Sequence, residues 1–160
     1  MITIRSGSPA DELFLKEMTY QAIYSPKGGG FLPRKVLEDR AIRRYYADFG
    51  KEGDLAFIAL SEGEAVGAVW IRFATTEQKG YGFVRADVPE LMLAVLPAFR
   101  GGGIGKALLE RMLTHLRATD LEAVSLSVAR SNPAGSLYGR YGFRIVKTQQ
   151  KSCTMLLNLT

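Results

Sequence analysis

Arg100-Gly101-Gly102-Gly103-Ile104-Gly105 is the stretch of this 160-residue chain whose residue types and spacing most plainly suit a chemical task. An apolar run over residues 91–96 leads into it and an amphipathic segment over 106–117 leads out, so strand, glycine-rich turn and helix follow directly. That succession makes an anion site. The first turn of a helix carries backbone N–H groups without intrahelical partners, and the helix dipole adds partial positive charge at the same end. A side chain at Gly101, Gly102 or Gly103 would stand between those groups and a phosphate, and could forbid a turn with positive φ.

Spacing separates this turn from two other nucleotide loops. G-x-x-x-x-G-K-[ST] fits Gly105-Lys106 but needs glycine where Arg100 stands and a hydroxyl where Ala107 stands. G-x-G-x-x-G starts at Gly101 and Gly103 but meets Lys106 where its last glycine belongs, and it should follow the first strand of a unit.

The elements that must position the turn alternate along the chain. After a short strand over residues 1–5, Ser8, Pro9 and Asp11 read as the start of a helix reaching about residue 24. The glycine-rich 25–30 segment and Phe31-Leu32-Pro33 suit either a lid or a plain connector, and a second helix is expected over about 35–49, ended by Gly50. Strands at 55–60 and 65–73 flank a hairpin turn at 61–64. Residues 74–89, with Tyr81 and Phe83, form either a surface loop or a binding wall. Ile104, Leu108, Leu109, Met112, Leu113 and Leu116 make one apolar helix face, which is core. A strand at 124–128 follows, then a short helix announced by Ser131-Asn132-Pro133, and closing strands at 143–147 and 153–159. The sum is a single α/β domain over residues 1–160, a mixed sheet of about seven strands with helices on both faces.

Composition narrows the partners. With 47% apolar residues and no run long enough to span a bilayer, the chain reads as globular, with no membrane partner. Its opening alternates like a strand and does not resemble a secretory leader, and Cys153 is the single cysteine, so a cytoplasmic location is expected. The net charge of +5 is spread without a Lys/Arg run, which argues against nucleic acid and suits a small polyanionic cofactor.

Arg100, Gly103 and Gly105 occupy R-x-x-G-x-G, which closely resembles the acetyl-coenzyme A signature of the GNAT superfamily of N-acetyltransferases. A second stretch, Asn132 to Phe143, resembles that family's N-x-x-A-x-x-L-Y-x-x-x-G-F motif, with its alanine slot one residue early or filled by Gly135. The resemblance covers roughly residues 90–143. It implies a single-domain, mostly antiparallel sheet with about four helices, and acetyl-CoA as cosubstrate. It places the pyrophosphate at Arg100, Gly101, Gly102, Gly103, Ile104, Gly105 and Lys106, with Asn132, Leu137 and Tyr138 also at the coenzyme. The pantetheine arm would pair with the backbone of Leu93, Ala94 and Val95 where two strands splay apart.

The same resemblance implies direct transfer of the acetyl group to a primary amine, without an acyl-enzyme or a metal. An amine of pKa about 10.4 is only about one part in 2,500 free base at pH 7, a penalty of about 4.6 kcal/mol. Glu90 matches the family's carboxylate base and would need a pKa raised by burial; otherwise it is a solvated carboxylate at a strand start. Tyr138 matches the family's general acid at the sulfur; otherwise it packs beside Leu137. His115 and Cys153 lack triad or metal spacing. The acceptor, a small molecule or a peptide, is not selected by the residues, although Asp39 or Asp87 could anchor a cationic one. Either a monomer or a homodimer fits, and a catalytically silent coenzyme A-binding regulator is the alternative function.

Overall fold

The computed structural model describes residues 1–23 and 32–160, so the 28–33 loop, read as either a lid or a connector, lies mostly outside the described residues. One sheet organises the chain: β1 (Ile2–Ser6), β2 (Leu55–Ser61), β3 (Glu64–Arg72), β4 (Glu90–Val95), β5 (Ala123–Ala129), β6 (Arg144–Thr148) and β7 (Ser152–Asn158). Their order is β1-β2-β3-β4-β5-β7-β6, and every neighbouring pair is antiparallel except β4 and β5. The β2–β3 hairpin turns at Glu62 (φ 49°) and Gly63 (φ 81°), the left-handed pair that matches the twist of its strands.

Helix α1 (Glu12–Ala22) is entered through a short 3₁₀ turn, Pro9–Asp11. There Ser8 Oγ accepts from Ala10 N–H and Asp11 from Ser8 N–H, so the expected start is built as read. On the same face of the sheet lies α2 (Arg40–Arg43); α3 (Ile104–Arg117) and α4 (Ala134–Arg140) cover the other. The six expected apolar residues of α3 are all buried against β2–β5 and β7. Each contributes about 1.5–3 kcal/mol of burial.

The long helix expected over 35–49 is not formed. A 3₁₀ turn (Arg34–Glu38) is broken by extended Asp39 (ψ 135°) before the single turn of α2, and Asp48 is left-handed (φ 56°). Tertiary contacts override helix propensity here. Tyr45, Tyr46 and Phe49 are buried, and the Arg72 guanidinium takes the carbonyls of Arg44, Ala47 and Asp48, groups that a continuous helix would have used itself.

Arg72 is itself held by Asp54, 3.0 Å away, both side chains being almost fully buried. Trp70 Nε1 donates to Tyr45 O at 2.8 Å, so β3 anchors the 44–48 turns twice. Asp54→Ala would leave a buried cation without its carboxylate, at a cost of about 3–5 kcal/mol. Urea unfolding followed through Trp70, the single tryptophan, should show that loss; a change within about 0.5 kcal/mol would dismiss the anchor.

Candidate functional site

Strands β4 and β5 share one bridge, Glu90 with Ser125, where Ser125 N–H donates to Pro89 O at 3.0 Å. Beyond it they part. Leu96 N–H donates to Val66 O of β3, so by alternation Met92 and Ala94 spend their backbone groups on β3. Leu91, Leu93 and Val95 turn theirs toward the gap, where Arg100 Nε donates to Val95 O at 2.9 Å. Of the three residues expected at the pantetheine arm, Leu93 and Val95 therefore present polar backbone to the gap and Ala94 does not.

The Arg100 to Lys106 turn stands at the open end of the gap. Gly101 (φ 83°) and Gly103 (φ 87°) are left-handed, a conformation natural to glycine. A Cβ added at Gly101 or Gly103 would meet nothing within 4 Å, and one at Gly102 only Phe99 O at 4.0 Å, so these positions face open space. Gly103 precedes α3 without a side-chain cap, and Ala107 N–H is the first to bond back to it. The N–H groups of Ile104, Gly105 and Lys106 thus remain for an anion, and the turn fits a pyrophosphate. Arg100 also reaches Gln21 O and Oε1 at 3.5 and 3.4 Å, tying the turn to the end of α1.

Asn132 Oδ1 accepts from Ala134 N–H at 2.9 Å and so opens α4. It lines a cleft of about 130 Å³ with Val128, Arg130 and Gly135 at the end of β5. Leu137 packs at the edge of the core, and Tyr138 is buried beside Phe143, their rings 5.7 Å apart and edge to face. Burial pushes the Tyr138 hydroxyl pKa well up, so the group keeps its proton at neutral pH.

Glu90 is 4% exposed and lies beneath the 80–82 loop. Its Oε2 accepts from Tyr45 Oη at 2.7 Å and from Gly82 N–H at 3.1 Å, while Tyr81 N–H donates to the same Tyr45 oxygen at 2.7 Å. Its Oε1 has no hydrogen-bond partner, with Arg44 Nη1 3.9 Å away. Burial raises the Glu90 pKa, although Tyr45, Arg44 and Gly82 pull against it. Glu90 is on the α1 face of the sheet and Tyr138 on the α3 face.

Tyr45 and Arg44 were not singled out for Glu90 from the sequence. No periodicity marks them, because their segment is a run of turns. Asp39 stands before α2 and Asp87 accepts from Arg85 at 2.6 Å; neither lies at Glu90. His115 is exposed on α3 and Cys153 is buried in β7. Among the described residues no cluster of His, Cys, Asp or Glu is placed to hold a metal, and no helix is long and apolar enough to cross a membrane.

A family model described as the acetyltransferase (GNAT) family matches residues 18–143. The chain belongs to that family. Mycothiol acetyltransferase of Streptomyces griseus is 31% identical to this GNAT chain over 145 residues, which cover 89% of it and 43% of the relative. The chain thus spans under half the length of such curated relatives. Two solved structures share the fold. PaiA N-acetyltransferase of Thermoplasma acidophilum in complex with coenzyme A has a TM-score of 0.66 at 22% identity, covering 99% of each chain. YncA of Salmonella typhimurium with acetyl-CoA has a TM-score of 0.68 at 19% identity, covering 100% of this GNAT chain and 95% of YncA.

A raised carboxyl pKa gives stability a definite sign against pH. Between the ordinary carboxylate value and the raised folded one, the folded GNAT chain binds a proton that the unfolded chain has lost, so stability falls as pH rises through that window. Glu90→Gln removes the titration. The stability of the wild type relative to the variant should therefore decline from acid to neutral pH in urea melts; a difference independent of pH would contradict the raised value.

Proposed function

We propose that this chain is an acetyl-CoA-dependent N-acetyltransferase, moving the acetyl group to a primary amine by direct attack in a ternary complex. The observation that carries the reading is the parting of β4 and β5 beside an uncapped, glycine-faced helix start. Family membership supports it. Leu93 and Val95 offer the thioester arm its backbone partners, and Gly101 to Lys106 the pyrophosphate its N–H groups. When bound, acetyl-CoA supplies an activated acetyl thioester.

The chain's own residues manage protons. Starting from ammonium, the acceptor nitrogen sheds one proton to become free amine and another, to solvent, after it gains the acetyl carbon. Two protons need the protein, the one leaving the ammonium and the one reaching the sulfur as it gives up that carbon. Glu90 Oε1, buried and without a partner, is the atom suited to receive the first, directly or through a water. Its raised pKa narrows the gap to ammonium that an ordinary carboxylate would face. The Tyr138 hydroxyl carries a proton at neutral pH and occupies the family's general-acid position, which supports it as the source of the second. Proton delivery and removal then occur from opposite faces of the sheet and do not compete for one space.

Release of free thiol from acetyl-CoA against a panel of amines tests the reading; no release with any amine would end it. Tyr138→Phe deletes one oxygen and little volume, so turnover should fall about a hundredfold or more with coenzyme affinity intact. A joint loss of rate and affinity would make the hydroxyl a coenzyme contact. Gly102→Val is the cleaner test of the turn than a change at Gly103, where left-handed φ would add strain. It should abolish coenzyme binding in calorimetry without lowering the melting temperature.

A further inference from the structure

An open cleft of about 550 Å³ lies between the 79–84 loop and the β6–β7 hairpin, on the Glu90 face of the sheet. The loop is bonded down on two strands: Ser125 Oγ donates to Gly82 O at 2.7 Å, and Thr154 Oγ1 to Tyr81 O at 3.4 Å. It also sits close, since a Cβ at Gly82 would stand 2.6 Å from the Leu126 carbonyl carbon. On the opposite wall the β6–β7 register slips between Ile145 and Lys147, and the bulge turns both Val146 and Lys147 to the cleft across from Thr154.

The cleft carries one sign of charge. Lys79 and Lys147 line opposite walls, and no carboxylate lines either. Among the described residues neither lysine has an ion-pair partner. Lys79 Nζ lies 5.7 Å from the Phe83 ring centre, which draws it along the wall, and Tyr81 adds an exposed aromatic face. The inner end approaches the reacting side. Gly80 lines the cleft, and a Cβ there would collide with both Glu90 Oε1 and the Arg44 guanidinium, so at that point the glycine backbone alone stands between cleft and carboxylate.

Resting on the transferase reading above, we infer that this cleft seats the acceptor and selects amines that also bear a carboxylate or another anionic group. The anion lies between Lys79 and Lys147, with Gln149 as a further donor, and the body of the acceptor lies on Tyr81 and Phe83. The amine end points at the Gly80 backbone, on whose far side Glu90 Oε1 lies. Two uncompensated lysines repel a polyamine and disfavour it against a zwitterion of the same reach.

β-Alanine and γ-aminobutyrate, each paired with its own amide, and spermidine as the cationic control, make the test. The acids should exceed their amides in kcat/KM by on the order of tenfold, mainly through KM, and the preference should shrink with added salt. Lys79→Gln and Lys147→Gln should each bring the acid-to-amide ratio toward one while calorimetric coenzyme affinity holds. Equal use of amides or spermidine, or variants that slow acids and amides alike, would overturn the inference and leave the transferase reading standing. Carboxylate binding by calorimetry separates the other case. Binding that needs both lysines, with no amine turned over, supports the anion cleft and defeats the transferase; neither binding nor turnover defeats both.

Discussion

A single backbone bridge, Glu90 with Ser125, holds β4 against β5, and everything proposed for this chain depends on the strands pairing there and nowhere else. Two parallel strands that stayed paired would consume the polar groups of Leu93 and Val95 and leave no slot. Parting exposes those groups, which is unfavourable unless a ligand, water or side chain meets them. Arg100 meets one by donating to Val95 O, so the residue that opens the glycine turn also closes the mouth of the gap. β4 itself is held on both faces, with α1 packed on one and α3 on the other.

The Glu90 carboxylate ranks next, because its position is set from two distant segments. Tyr45 comes from the turns after α2, and Gly82 from the loop before β4. Those turns are in turn fixed by Arg72 and Trp70 on β3. A chain of buried and part-buried hydrogen bonds thus runs from Asp54 through Arg72 and the 44–48 carbonyls to Tyr45 and the carboxylate. Arg72, Tyr45 and Glu90 are themselves buried, so removing one strands its neighbour, and that cost holds the geometry.

Much of this was legible in the sequence where local rules govern. The glycine turn, the Ser8 start of α1, the Glu62-Gly63 hairpin and the six-residue face of α3 all follow from spacing within about ten residues, and their elements lie close to where they were expected. The 35–49 segment was not legible. Leu37, Tyr45, Tyr46 and Phe49 within it are buried, but Arg72 competes for its carbonyls from more than twenty residues away. The partners of Glu90 escaped notice for the same reason, since nothing local links Tyr45 to position 90. The 74–89 segment, for which a surface loop and a binding wall both fit the sequence, is bonded to the sheet at Tyr81 and Gly82 by Thr154 and Ser125, partners too distant in the chain to be read locally.

The alternation along β4 has a consequence for how such a chain can change over time. Leu91, Leu93 and Val95 face α3 and carry the backbone turned to the gap proposed for the coenzyme, while Glu90, Met92 and Ala94 face α1 and the 80–82 loop, the side proposed for the acceptor. One strand therefore separates two surfaces that answer to different selective demands. Substitutions in the loop, in β6 at its bulge or in the turns after α2 can retune the acceptor while the glycine turn stays fixed. A lineage that inherits this strand can exchange its acceptor in small steps without ever surrendering its acetyl donor.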